Sequence, residues 1–303
     1  MTSAPPIEKR AIHGILLVDK PLHLTSNAVL QKVKRLFHAK KAGHTGSLDP
    51  LATGMLPICF GEATKFSQYL LDANKCYEVR AQLGVKTNTG DAAGEVIAQV
   101  DEFSISEATL RQTLAQFTGH LTQVPSMFSA LKHQGRPLYQ LARAGIEIER
   151  PARPIIIHAL ELHAFDGRTL ALTVLCSKGT YIRNLVEDIG DALGVGAYVT
   201  QLHRRYTAGF EDLPMYSLER LAEDTPEQRL SRLRPIDHAI SSIPKLTLES
   251  TDVQAIRHGQ TVAYPSNQVG LVRLYTTSDT LIGLGETDGG FIQAKRLLAA
   301  DIT

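Results

Sequence analysis

The stretch CYEVRAQLG, residues 76–84, alternates without a break: Tyr77, Val79, Ala81 and Leu83 fall on one side, Glu78, Arg80 and Gln82 on the other. A period of two is that of a strand with one face on a core and one toward water, so a sheet with a covered face has to form here. Further along, LALTVLCSKGTYIRNLVEDIGDALG gives an alternating strand, a Lys-Gly-Thr turn and a helix whose Ile182, Leu185, Val186, Ile189 and Leu193 make one stripe before Gly194. Strands and helices thus follow one another within a single chain of 303 residues, enough for a large core. An α+β fold is expected.

The rest of the chain fills in that frame. HGILLVDKP reads as a buried strand ending near Lys20, and a helix capped by Thr25 or Ser26 follows, with Val29, Leu30, Val33, Leu36 and Phe37 inward and Lys32, Lys34 and Arg35 off the stripe. LPICFGEATKFSQYLLDA predicts a short strand and then a helix, and TNTGDAAGEVIAQV a turn-rich connection into another strand. In SISEATLRQTLAQFTG, Ser104 with Glu107 fits a capping box for a helix ended by Gly119. LAEDTPEQRLSRLRP reads as a polar connection, and from about Lys245 onward short strands, with a hairpin at Ser278 and Asp279, predict a small C-terminal β domain.

Charge is uneven, although the chain as a whole carries only +1. Residues 1–50 hold eight Lys and Arg against three Asp and Glu, and residues 121–153, loop-rich in pattern, hold Lys132, Arg136, Arg143, Arg150 and Arg153 against Glu147 and Glu149. Such local excess suits either a solvated surface or a polyanion. No apolar run approaches the roughly 20 residues of a membrane span, and residues 1–10 lack the apolar centre of a signal peptide, so a cytoplasmic protein with no membrane partner is expected. Cys59, Cys76 and Cys176 stand singly, which suggests neither disulfides nor a structural metal site.

Between two of these elements lies KAGHTGSLDPLATG, residues 41–54, where Gly43, Gly46 and Gly54 permit unusual backbone angles and Pro50 holds Asp49 extended. There is no phosphate-binding GxxxxGK[ST], GxGxxG, HExxH or GxSxG pattern and no carboxylate cluster for magnesium, so no cofactor or metal is expected. What remains for chemistry is Asp49, His44, Tyr77, and SKGTYIR with Tyr181 and Arg183. Taken singly, each also has a plain structural reading: a turn cap, a loop hydrogen-bonder, a core aromatic, a surface cation.

Read together, AGHTGSLDPLATGMLPICFGEATKFSQYL, PSMFSALKHQGRPLYQLARAGIEIERPARP and CSKGTYIRNLVEDIGDALGVGAYVTQLHRR, preceded by HGILLVDKP, resemble the successive motifs of the bacterial TruB family, the tRNA pseudouridine-55 synthases. The resemblance covers about residues 12–210, and the remainder is similar to the family's PUA-like RNA-binding domain in length and strand content. Ser47 and the stretch TNTGDAAG vary the family pattern, and neither is expected to touch an assigned residue.

The resemblance implies a pseudouridine-synthase core on a mixed, mainly antiparallel sheet with flanking helices, plus a small C-terminal β-barrel PUA-like domain. The division implied is a flexible tail at 1–10, a catalytic domain at 11–243 with an RNA-docking insertion at about 121–153, and the PUA-like domain at 244–303. It implies isomerisation of the T-loop uridine, position 55, without cofactor, by flipping the base and cleaving and re-forming its glycosidic bond. Asp49 is then the essential nucleophile, Arg183 its partner, expected to depress its pKa, and Tyr77 the platform for the flipped base. Tyr181 and Leu202 would line the substrate pocket, His44 contact the RNA, and Lys20 lie beside the site. The expected partner is the tRNA T-arm, bound by a monomer with no guide RNA. Three rival readings stay open: an RNA-binding, tRNA-folding chaperone without catalysis, a guide-RNA-dependent synthase, and, more distantly, a carbohydrate hydrolase, which would ordinarily need two acids.

Overall fold

The computed structural model describes residues 8–265 and 267–300. The tail expected at 1–10 therefore lies mostly outside the described residues, and Arg10 within it pairs with Ala39.

In chain order, β1 (Gly14–Lys20) leads to α1 (Ser26–Leu36), then β2 (Ala42–His44) and β3 (Ala52–Phe60). A 3-10 segment, Gly61–Phe66, precedes the short α2 (Ser67–Asp72), so the helix expected there starts as a tighter turn. Next come β4 (Lys75–Leu83), the hairpin of β5 (Val85–Thr87) and β6 (Val96–Gln99), α3 (Glu107–Gln116) and β7 (Gly119–Gln123). The basic stretch carries a small hairpin, β8 (Lys132–His133) and β9 (Arg136–Pro137), and α4 (Leu138–Arg143). It returns through β10 (Arg153–Phe165) and β11 (Thr169–Cys176) to α5 (Ile182–Ala192) and β12 (Ala197–Thr207).

The α3 cap differs from expectation. Ser106 accepts from the Thr109 amide, and Glu107 opens the helix, so Ser104 is not the cap. The polar stretch after β12 is helical too: α6 (Leu218–Glu223) and α7 (Pro226–Ser231), the latter closed by a capping box of Thr225 and Gln228. These are two-turn helices with few inward residues, too short for a periodic signal. The C-terminal part is β13 (Lys245–Leu248), α8 (Ser250–Arg257), β14 (Val262–Ala263), β15 (Gly270–Thr276), β16 (Leu281–Thr287) and β17 (Phe291–Leu297). Its sheet runs β13-β15-β16-β17-β14, as expected except for α8.

The main sheet runs β1-β3-β12-β4-β11-β10-β7 with β2 also on β3, and within it only the β3 and β12 pairing is parallel. Tyr77, Val79, Ala81 and Leu83 pack with Leu185, Val186 and Ile189 of α5 and Leu110 and Leu114 of α3, while α1 covers the β1 and β3 half through Val29, Leu30 and Val33. Ile15, Leu17, Met55 and Cys59 face the opposite side, where they join Phe66, Phe210, Ile240, Leu284 and Leu298. The C-terminal part therefore shares a core with the main sheet.

One irregularity positions everything that follows. The edge of β3 away from β1 pairs with β12 at residues 52–54 and with β2 at residues 58–60, leaving residues 55–57 between them without a strand partner. The sheet forks there, and the loop joining β2 to β3 lies at the fork.

Candidate active site

Nearly every residue of that loop is tied down. The Thr45 amide donates to the Pro57 carbonyl at 3.0 Å, and the buried Ser26 hydroxyl holds Leu48 twice, accepting from its amide at 2.7 Å and donating to its carbonyl at 3.0 Å. The His23 amide donates to the Pro50 carbonyl at 2.7 Å, and the Ala52 amide to that of Asp49 at 3.0 Å. Of the two candidate caps for α1, Thr25 caps and Ser26 instead clamps the loop. Gly46 and Gly54 take φ of +89° and +96°, angles that a side chain resists. At Gly54 a Cβ would also lie 2.2 Å from the Arg204 carbonyl oxygen, so the parallel junction of β3 with β12 requires glycine.

The turn presents Asp49, whose side chain remains 42% exposed, to Arg183 at the start of α5: Nε to Oδ2 is 3.0 Å. Arg183 is otherwise buried and fully engaged. Its Nη1 donates to the Thr89 carbonyl at 2.7 Å and its Nη2 to the Phe128 carbonyl at 2.8 Å, while Asp91 Oδ2 stands 3.8 Å from Nε. TNTGDAAG therefore touches an assigned residue after all, through Thr89 and Asp91, and the basic insertion touches it through Phe128. The Asp49 carboxyl sits above the ordinary carboxylate range because the protein packed around its inner side disfavours its charge even though its outer side meets solvent; Arg183 pulls the other way and Asp91 pushes further up. Arg183 depresses it as expected, but burial outweighs the arginine and the net shift is upward.

Lys20, Tyr77 and Leu202 lie on the same sheet beneath this pair. Lys20, 0% exposed, donates Nζ to the Pro21 and Leu24 carbonyls at 2.8 Å each; burial lowers its pKa to about 8, with Asp49 opposing. Tyr77 and Leu202 are buried in the core cluster that also holds Leu48 and Ala52. Burial raises the Tyr77 hydroxyl. His44, on β2, is held neutral by burial and by Arg204, and its Nδ1 is buried without a hydrogen-bond partner. Tyr181 precedes α5, where the Gln123 side chain accepts from its amide at 2.7 Å and donates to its carbonyl at 3.1 Å. A cleft of about 960 Å³ opens beside Pro50, Leu51 and Leu202 and continues over Arg80, His163 and His203.

Two site residues escape sequence reasoning. Asp91 reaches Arg183 only through folding, and Arg204, one of two adjacent arginines in QLHRR, becomes the inward member of an alternating strand. It is 1% exposed and fills the fork, donating Nε to the Met55 carbonyl at 2.6 Å and Nη2 to the Gly46 carbonyl at 3.1 Å. A carboxylate braced by a guanidinium can act as a nucleophile or an electrostatic stabiliser. No cluster that could hold a metal ion occurs among the described residues.

Positive charge lies exposed at Lys132, Arg136, Arg143 and Arg153 of the insertion and at Lys32, Arg35, Lys40 and Lys41 in and after α1. Among the described residues, no helix is long and apolar enough to cross a membrane.

Comparison with known proteins bears on the whole length. Residues 34–182 match the family described as TruB family pseudouridylate synthase, N-terminal domain; residues 183–241 match tRNA pseudouridylate synthase B, C-terminal domain; and residues 244–298 match pseudouridine synthase II TruB, C-terminal. The chain is 56% identical over 295 residues to tRNA pseudouridine synthase B of Legionella pneumophila, covering 95% of this chain and 96% of that one. It is 51% identical over 302 residues to the protein of the same name from Tolumonas auensis, covering 95% and 93% respectively. Among solved structures it resembles one of a Cbf5-Nop10-Gar1 complex, with a TM-score of 0.74 and 27% identity over 95% of this chain and 86% of that one. The mixed sheet with flanking helices and the PUA-like C-terminal sheet agree with that likeness.

Proposed function

This chain belongs to the TruB family of pseudouridylate synthases, and from that premise we propose that it converts the T-loop uridine of tRNA, position 55, to pseudouridine, with Asp49 as the essential carboxylate. The observation that carries the reading is the Asp49–Arg183 pair at 3.0 Å on a loop clamped from four directions. The reaction separates uracil from C1′ of its ribose, turns it and rejoins it through C5, so it consumes no external reagent. Asp49 acts at C1′ and Arg183 orients it. Tyr77 stacks on the flipped base, Tyr181 and Leu202 line its pocket, His44 meets the RNA, and Lys20 adds charge beneath.

A T-loop uridine is reached only when it is turned out of the folded arm, at a cost of about a few kcal/mol. The insertion at 121–153 is the part we assign to gripping the arm, because its Phe128 carbonyl is bonded to Arg183 and its outer surface is basic. Residues 11–243 form the catalytic domain in this reading and 244–303 the PUA-like domain, which adds phosphate contacts. We propose a cytoplasmic monomer that takes a bare T-arm stem-loop without a guide RNA.

Tritium release from C5-labelled uridine in such a stem-loop, with EDTA present and no cofactor, tests this. The native protein is expected to release tritium and Asp49→Asn to bind equally well and release none. Binding without release by either would leave an RNA-binding chaperone.

A further inference from the structure

One rung of the main sheet carries more positive charge than the fold needs. Lys20 on β1, Gly54 on β3, Arg204 on β12 and Tyr77 on β4 stand each opposite the next. Residues so paired face the same side of a sheet, so both cations and the tyrosine share the face covered by helices. Gly54, having no side chain, lets the Arg204 backbone close in, so no side chain on this rung separates the two cations. Lys20 is satisfied by two carbonyls and faces Asp49. Arg204 bonds to two carbonyls and to the Tyr77 side chain, and the ion pairs nearby use Arg183 and Arg205, not Arg204. Neutral donors would satisfy Met55 and Gly46 equally well. A guanidinium kept out of water with no carboxylate beside it is costly, and that cost falls when an anion arrives.

The proposed reaction supplies one. When the C1′–N1 bond breaks, its electron pair stays on N1, so the detached uracil is an anion. The charge is consumed when C5 bonds to C1′, and the ring is restored when C5 gives up its proton and N1 takes one up. The anion exists only while the base is loose, the interval during which the site must hold it. We propose that Arg204 is the buried counter-charge for the detached uracil anion, acting through Tyr77, which stands between it and the stacked base. It is a positioning residue, since it does not reach the substrate, and it fixes Tyr77 and the Gly46 turn from the same place. Fixed charge in a water-poor site acts most strongly where charge develops during the reaction. The inference rests on the isomerase reading above.

Leaving-group chemistry tests it. Single-turnover consumption of the target nucleotide is measured in stem-loops carrying uridine or 5-fluorouridine, the fluorine making uracil a more stable anion. Arg204→Gln is expected to slow uridine by about 100-fold and fluorouridine much less, so the ratio of the two rates rises about tenfold over the native ratio. Equal losses on both substrates would make Arg204 a donor for the fork alone and overturn the inference.

Arg204→Lys provides a second test should the glutamine variant not fold. A lysine buried here should lose its proton as pH rises, as Lys20 and Lys75 do near about 8, and the rate ratio should climb with it while the native ratio stays flat. Lys20, His44, Lys75, Tyr77 and Cys176, the titrating groups that feel Arg204, and Asp49 beyond Lys20 are common to both proteins and cancel in the comparison. A ratio independent of pH in Arg204→Lys would overturn the proposal. Native protein inert toward uridine would sink the isomerase reading and this inference with it, whereas native turnover with an unchanged ratio in the variants sinks the inference alone.

Discussion

At Asp49 the surroundings that prepare a carboxylate for work also make its charge costly. Its folded pKa lies above the ordinary 3.8, so between those two values the folded state holds more protons than the unfolded, and stability falls as pH rises through that window. Asp49→Asn is therefore expected to melt no lower than the native protein at neutral pH while losing all turnover. The rate of the native enzyme should climb with pH through the same raised value, since only the ionised form can act. Lys20 helps keep that form, so Lys20→Met should move the acid limb of the rate profile to higher pH. A limb left in place would remove Lys20 from the electrostatics of the site. Gly54 is constrained by space as well as by angle: Gly54→Ala, with its Cβ driven against the Arg204 carbonyl, should cost more than about 1 kcal/mol of stability, read by denaturant unfolding.

Among the elements, those with a sustained period were legible in advance. The alternation of β4 and β11 and the stripe of α5 are long enough for burial to impose a pattern, and burial follows it from Tyr77 to Leu83 and along β11, while α5 buries Arg183 and Gly190 in addition to its stripe. Where an element is short, capping and tertiary contact decide: α6 buries only Leu218 and Leu221, α7 buries nothing fully, and α3 takes Ser106 over Ser104 because only Ser106 reaches the Thr109 amide. The turn carrying Asp49 was visible from its glycines and proline, but its clamps were not. Ser26 and Arg204 meet it, and Asp91 meets its partner Arg183, across long stretches of chain, and one sequence carries no mark of such pairing. The start of α5 is another case, since its N-cap residue Tyr181 makes no side-chain cap bond and is held instead by Gln123, borrowed from β7. Gln123→Ala should cost about 1 kcal/mol and reduce kcat more than KM, because Arg183 is the second residue of that helix. Unchanged kcat would show that α5 holds Arg183 without Gln123.

Across the whole molecule, the two sheets do not behave as separable modules. Leu284 and Leu298 pack among Ile15, Leu17, Met55 and Phe66, and the Ala299 amide donates to Glu62 Oε2 at 2.7 Å. Removing residues 244–303 should therefore yield insoluble or unfolded protein, not an independent enzyme; a soluble fragment with native melting would refute a shared core. Binding of the stem-loop should weaken steeply between about 50 and 200 mM salt if the basic insertion and α1 meet phosphates, and a flat response would argue against that surface.

The forked edge of β3 has a consequence for the order of events in folding. Arg204 closes the fork with Met55 across 149 positions of chain, and Arg183 reaches Thr89 and Phe128 across 94 and 55. Contacts so distant in sequence carry a large loop-closure entropy and tend to form late. Refolding chains should then regain helical and strand signal before they regain turnover, and a chain still on the ribosome, without β12, has no assembled centre with which to act on RNA.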